Sequence, residues 1–148
     1  MDKTEKEQVV FTLLGIFPNY TQYFNHFMEI RQYDLTKTQF KIILSLGCCP
    51  GMTMGELADK ICISRELASR AVGPLVDRNL IVRSTNCRNR RQINMNLTLH
   101  GEQYLSEIKR GYADIMLSSL DCLSEEELEN FLHCLNYMEE ILNKITAK

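Results

Sequence analysis

At 148 residues, 45% hydrophobic and 24% charged, the chain has the size and composition of one ordinary globular domain, long enough to bury roughly two-thirds of its unfolded surface. A net charge of −2 gives no general affinity for polyanions, no apolar run approaches the roughly 20 residues of a membrane span, and the charged start MDKTEKEQVV lacks the apolar stretch of a secretory signal. The expectation is a cytoplasmic protein without a membrane partner. Six cysteines (48, 49, 62, 87, 122, 134) include no CxxC pair, and His26, His100 and His133 do not complete a ligand set, so reduced thiols serving as small core residues are expected, with no metal and no cofactor.

In chain order, residues 3–33 carry Val9, Val10, Leu13, Leu14, Phe17, Phe24 and Met28 at spacings of three and four, which predicts a helix. Pro18 removes a backbone donor and is expected to kink or split that helix near Phe17. The apolar positions exceed what one core-facing stripe requires, which points to a second buried surface such as a subunit interface.

Three later helix starts share one pattern. Thr36 with Gln39, Thr53 with Glu56, and Ser124 with Glu127 each form a capping box. Leu35 with Phe40, Met52 with Leu57, and Leu123 with Leu128 add a hydrophobic staple to each. Ser64 can cap a further helix reaching roughly Arg78. Residues 80–85 and 92–97 read as strands, the second alternating Ile93, Met95, Leu97 against Gln92, Asn94, Asn96. Thr98 can cap another helix with Tyr104, Ile108, Tyr112 and Ile115 on one face, and a last stripe runs from Leu128 to Ile145. The fold class is therefore mainly α with a small β-hairpin.

Charge singles out one region of this order. From Lys60 to Arg91 there are eight Lys or Arg against two acids, a net of +6, so the remainder of the chain sums to −8. A basic island on an acidic body suits a docking face for phosphate. It coincides with two short capped helices, a strand, an arginine-rich loop and a second strand. In such a helix-turn-helix with a wing, residues 53–61 support and the next helix reads DNA, with Leu67, Ala71 and Leu75 expected to face the core. Ser64, Arg65, Glu66, Ser69 and Arg70 are expected on the exposed face: arginine reaches guanine bidentately, serine bonds several edges or phosphate, and glutamate accepts from cytosine. Arg88, Arg90 and Arg91 crowd the loop, where an anionic partner relieves their repulsion.

The runs LTKTQFKIILSL (35–46), MTMGELADKICISRELASRAVGPLVDRNLI (52–81) and NRRQINMNLTLHG (89–101) resemble the MarR family of winged-helix regulators. The resemblance implies one domain over 1–148, with a winged helix-turn-helix lobe at 35–101 and dimerisation helices at 1–34 and 102–148. It implies a homodimer that binds pseudo-palindromic double-stranded DNA, as a repressor where the site overlaps a promoter, and releases it on binding a small molecule or on oxidation. Three departures stand out. Asn89 takes the place of an acid that would brace the wing. Gly73-Pro74 falls inside the reading helix and is expected to kink or end it near Arg70. No cysteine precedes Cys48, whereas oxidant-sensing members carry one in the first helix.

Tyr20, Tyr23, His26, Phe27 and Tyr33 are candidates to line a pocket for a small aromatic effector. Cys87, among Arg83, Arg88 and Arg90, is a candidate redox site, since those cations stabilise a thiolate. No phosphate-cradling glycine loop, nucleophile elbow or HExxH motif is present, so no catalytic residue and no enzyme activity is expected. The alternative function is a winged-helix interaction module that dimerises or binds another regulator without reading DNA.

Overall fold

The structure, a computed structural model, describes residues 3–30, 33–85 and 92–146, apart from the side chains at 23 and 27–30. Among the described residues, six helices and three strands follow in the order α1 (Lys3–Ile30), α2 (Lys37–Cys48), β1 (Met52–Thr53), α3 (Met54–Lys60), α4 (Arg65–Asp77), β2 (Ile81–Thr85), β3 (Ile93–Leu97), α5 (Leu99–Leu120) and α6 (Glu125–Thr146). The chain divides into two compact units, Met1–Gly111 and Tyr112–Lys148.

In the first unit the three predicted boundaries of α2, α3 and α4 are set by their caps. Thr36 and Thr53 accept from the backbone N–H of Gln39 and Glu56 at 3.2 and 3.3 Å, while those residues' side chains accept from the cap N–H at 2.9 and 2.7 Å. Ser64 accepts from Leu67 N–H at 3.2 Å. Both α3 and α4 then stop the same way. Cys62 (φ 58°) and Asn79 (φ 55°) turn left-handed. Their N–H groups bond Asp59 and Val76, and the next N–H groups, of Ile63 and Leu80, reach back to Ala58 and Leu75. This is the Schellman motif, which satisfies carbonyls that a helix end leaves open.

The buried faces of these helices meet in one core: Ile42, Ile43 and Leu46 from α2, Leu57 from α3, Val72 and Leu75 from α4, then Leu80, Ile81, Met95 and Leu105. The sheet has the order β1-β3-β2, all antiparallel, with Ile81 opposite Leu97, Arg83 opposite Met95 and Met52 also opposite Met95. The hairpin is as predicted, but β1 is an addition to it: two residues ahead of α3 form a third strand. On β3 only Met95 is fully buried, and Ile93 is exposed.

Neither proline ends its helix, against the expected split near Phe17 and the expected end near Arg70. Helix α1 continues through Pro18 without a break. The carbonyl that loses its donor, that of Leu14, belongs to an exposed residue of α1, where water can take the donor's place. Helix α4 likewise continues past Arg70 to Asp77 with Pro74 inside it. Val72 and Leu75, on either side of Gly73-Pro74, are fully buried, and their packing offsets the local cost.

The cysteines also depart from expectation. Cys48, Cys62, Cys122 and Cys134 are exposed and Cys49 is half-buried, so they are not the small core residues anticipated; Cys87 lies outside the described residues. Among the described residues no three His, Cys, Asp or Glu are grouped to hold a metal ion, and no helix is long and apolar enough to cross a membrane.

In the second unit, Ser124 and Glu127 exchange bonds at 2.8 and 3.2 Å to start α6, the third predicted capping box. Phe131, Leu132, Leu135, Leu142 and Ile145 on α6 are exposed, and α6 buries no residue. In the first unit Val9, Phe11, Leu14, Phe17 and Tyr20 of α1 are exposed too. The C-terminal part of α1 is docked, with Phe24 edge-on to Phe40 at 5.3 Å and Lys37 Nζ 2.9 Å from Asn25 Oδ1.

Candidate nucleic-acid interface

Helices α3 and α4 are joined by Ile61–Ser64, and the left-handed turn at Cys62 redirects the chain so that Ala68 of α4 is buried together with Leu57 and Ala58 of α3. The opposite side of α4 presents its polar residues. Ser64, Arg65, Glu66, Ser69 and Arg70 are all exposed, which is the face required of a helix that enters a groove. The inward set differs from the expected one by a rotation: Ala68, Val72 and Leu75 are buried, Ala71 is half-buried, and Leu67 is 41% exposed. Leu67 therefore belongs to the outward face, one residue before the buried Ala68. Leu57 and Ala58 pack inward as expected, with Ile61 against the core margin.

The charged side chains on this face are not equivalent. Arg70 Nη2 lies 2.9 Å from Glu66 Oε1, an exposed pair one helical turn apart. Arg65 instead lies across Gly55 at the start of α3, where a β-carbon at residue 55 would stand 3.2 Å from Nη2 and 3.3 Å from Nε. A larger residue at 55 would displace the guanidinium. Ser64 has its hydroxyl oxygen engaged as the cap and its face open. So the first two turns of α4 carry one cation drawn toward α3 and one exposed acid–cation pair.

The strands that lead to the wing are in place beside α4, with Arg83 exposed on β2. On the same hairpin, Ser84 and Asn96 are linked at 3.3 Å. The wing residues Arg88, Arg90 and Arg91, the departure at Asn89, and the candidate redox residue Cys87 lie outside the described residues.

The base of the hairpin is seated on α5 by a close approach. A β-carbon at Gly101 would stand 2.0 Å from the Leu80 carbonyl oxygen, so only glycine fits there. Thr98 completes the junction: its N–H bonds Leu80 O at 3.0 Å, its hydroxyl donates to Asn79 O at 2.6 Å and accepts from Gly101 N–H at 2.9 Å. This explains why the sequence places Leu97-Thr98 and Gly101 so close together.

The proposed effector residues are scattered in environment. Tyr20 is 62% exposed and His26 is exposed, while Tyr33 is half-buried with its ring edge-on to Tyr104 at 6.4 Å; the side chains of Tyr23 and Phe27 lie outside the described residues. A half-open cleft of about 470 Å³ lies elsewhere, between the end of α2 and α5, lined by Gly47, Pro50, Asn96, Leu97, Leu105 and Lys109 among others. Of the candidates with described side chains, Tyr20, His26 and Tyr33 are not among its lining residues.

Comparison with known proteins agrees with this geometry. Residues 35–93 match the MarR family. The chain is 28% identical over 105 residues to the HTH-type transcriptional repressor MdtR of Bacillus subtilis (strain 168), covering 71% of this chain and 68% of that protein. Among solved structures it is similar to a MarR family protein from Bacillus stearothermophilus (TM-score 0.73, 20% identity, 97% of this chain and 99% of that one). It is also similar to MarR in its apo form from E. coli (TM-score 0.67, 19% identity, 86% and 93%). The winged helix-turn-helix is thus the fold that the chain shares with these structures, and the segment that matches the MarR family, residues 35–93, holds both of its helices, α3 and α4.

Proposed function

We propose that the chain is a sequence-specific DNA-binding repressor that acts as a homodimer on a pseudo-palindromic operator. The observation that carries this reading is the outward face of α4, where Ser64, Arg65, Glu66, Ser69 and Arg70 are all exposed on the second helix of a helix-turn-helix. Arg70 and Glu66 are suited to base edges and Arg65 to a backbone phosphate, with Arg88, Arg90 and Arg91 of the wing adding contacts in the adjacent minor groove. The lobe at 35–101 reads DNA, and the flanking segments 1–34 and 102–148 make the dimer. The exposed apolar residues of α1 and α6 support that division, because faces of this size on a soluble chain call for a partner.

Release from DNA is through a small aromatic effector, for which Tyr20, Tyr23, His26, Phe27 and Tyr33 are the candidate contacts, or through oxidation of Cys87. A regulator of this kind works in the cytoplasm and needs neither a cofactor nor a catalytic site.

The test is fluorescence anisotropy with duplex from the gene's own upstream region, titrated with salt. Binding through several cations should weaken steeply, with log K falling by about 0.9 per neutralised phosphate for each tenfold rise in salt. An interaction module that recognises only another protein would bind no duplex above competitor, and its apolar interface would barely respond to salt.

A further inference from the structure

Arg78 belongs by sequence to the basic island, yet its guanidinium serves the protein itself. It caps the C-terminal end of α4. Its Nη1 donates to the Asp34 carbonyl oxygen, and Asp34 Oδ2 stands 3.9 Å away. Its guanidinium carbon lies 5.5 Å from the centroid of the Tyr104 ring, which meets Tyr33 edge-on at an interplanar angle of 82°. One side chain thereby ties together the end of the reading helix, the segment between α1 and α2, and the first turns of α5. Its side chain is 34% exposed, whereas that of Arg70 is 72% exposed.

The chemistry suits arginine alone. A planar guanidinium can donate in its plane to Asp34 while its face covers a ring; an ammonium cannot do both in one position. The rest of α4 is held otherwise, by the Ser64 cap, by Val72 and Leu75 in the core, and by Gln39 Nε2 near the Ala71 carbonyl at 3.4 Å. What Arg78 adds is a tie from the end of α4 to Asp34, ahead of α2, and to Tyr104 of α5.

We propose that Arg78 is a positioning residue that sets the separation at which two protomers present their α4 helices, and so fixes the operator spacing that the dimer accepts. The proposal rests on the reading of the chain as a DNA-binding dimer. Two reading helices must stand about 34 Å apart to enter successive major grooves on one face. With Arg78 in place each helix is held at one angle, and a site with altered spacing is refused. Without it the same bases are read with a looser demand on spacing.

The experiment uses the full-length protein and duplexes that it selects from a randomised library, re-synthesised with two base pairs added or removed between the half-sites. Affinities are compared for the wild type, Arg78→Met, Arg78→Lys and Tyr104→Leu. The wild type is expected to lose at least tenfold on the altered spacings, and Arg78→Met less than about threefold, with unchanged base preference inside each half-site. Arg78→Lys should behave like Arg78→Met, because charge without the fork does not restore the latch. Should Arg78→Met fold poorly, Tyr104→Leu, which removes the ring beside the guanidinium and leaves Arg78 in place, must show the same relaxed spacing. Arg78 variants that keep the wild-type spacing penalty, or that change base preference instead, overturn the proposal. A wild type that selects no duplex, or only isolated half-sites, fails the dimer reading instead, and that result is seen before any variant is made.

Discussion

Gly101 lies against the carbonyl of Leu80 so closely that a β-carbon would stand 2.0 Å from the oxygen. That oxygen already accepts from Thr98 N–H, and Leu80 itself is buried in the core, so neither partner can retreat without loss. Gly101→Ala should therefore destabilise the lobe by about 1–3 kcal/mol, the usual cost of forcing atoms into a packed interior. Urea unfolding at neutral pH measures it. A change below about 0.5 kcal/mol would mean that α5 can shift away from the hairpin freely.

The two arginines at the start of α4 should separate by what they lose. Arg70→Ala should cost about 1–3 kcal/mol in DNA binding and relax preference at one position of the half-site. Arg65→Ala should weaken all sequences alike and lower the salt slope by about 0.9. Gly55→Leu, which fills the seat of the Arg65 guanidinium, should reproduce the Arg65→Ala effect and add little to it in the double variant. Additive losses would show that Arg65 does not work from that seat.

Acid should loosen two helix starts. The Glu56 carboxylate accepts from the Thr53 backbone N–H and hydroxyl, and Glu127 does the same at Ser124, which holds both below their ordinary 4.5. A group with a lowered folded pKa adds stability that is present above 4.5 and is lost as pH falls through the folded value. Between about pH 6 and pH 3 the wild type should lose stability that Glu56→Gln and Glu127→Gln do not, since the amide keeps an acceptor oxygen but has no proton to gain. Chemical denaturation across that window is the measurement; parallel curves would refute it.

Cys62 holds a left-handed conformation, which costs an L-residue about 1–2 kcal/mol, against about 0.5–1 kcal/mol of extra chain entropy for glycine. Cys62→Gly should stabilise the protein by roughly 0.5–1 kcal/mol and leave DNA binding unchanged. A lower melting temperature would show that the thiol contributes packing that outweighs the strain.

The helix starts were legible in the sequence because a capping box is a local device: the two residues that satisfy each other are three apart, and no distant contact decides the outcome. The hairpin was legible for a similar reason, its strand alternation being written in six consecutive residues. The sequence does not settle the face of Leu67, because spacings of four and four (67, 71, 75) and of four and three (68, 72, 75) both suit a helix, and only packing against α2, α3 and β2 selects the second. Pro74 breaks no helix because propensity is measured in isolated exposed helices, whereas Val72 and Leu75 are tied into a core. Strand β1 has two residues, too few to show any period. The inward turn of Arg78 was illegible too, because a count of cations along the chain says nothing about which ones face Asp34 and Tyr104.

Thr53 holds two positions at once, as the last residue of β1 opposite Asn94 and as the cap of α3. A residue shared in this way joins the fates of two elements. Lifting β3 from β1 would strip α3 of its cap, and fraying α3 would free the strand. The first turn of α3 and the middle of β3 should thus open together, with a common free energy in native-state hydrogen exchange. A disturbance that enters at the wing has, through this single threonine, a route to the helix on which the reading helix rests.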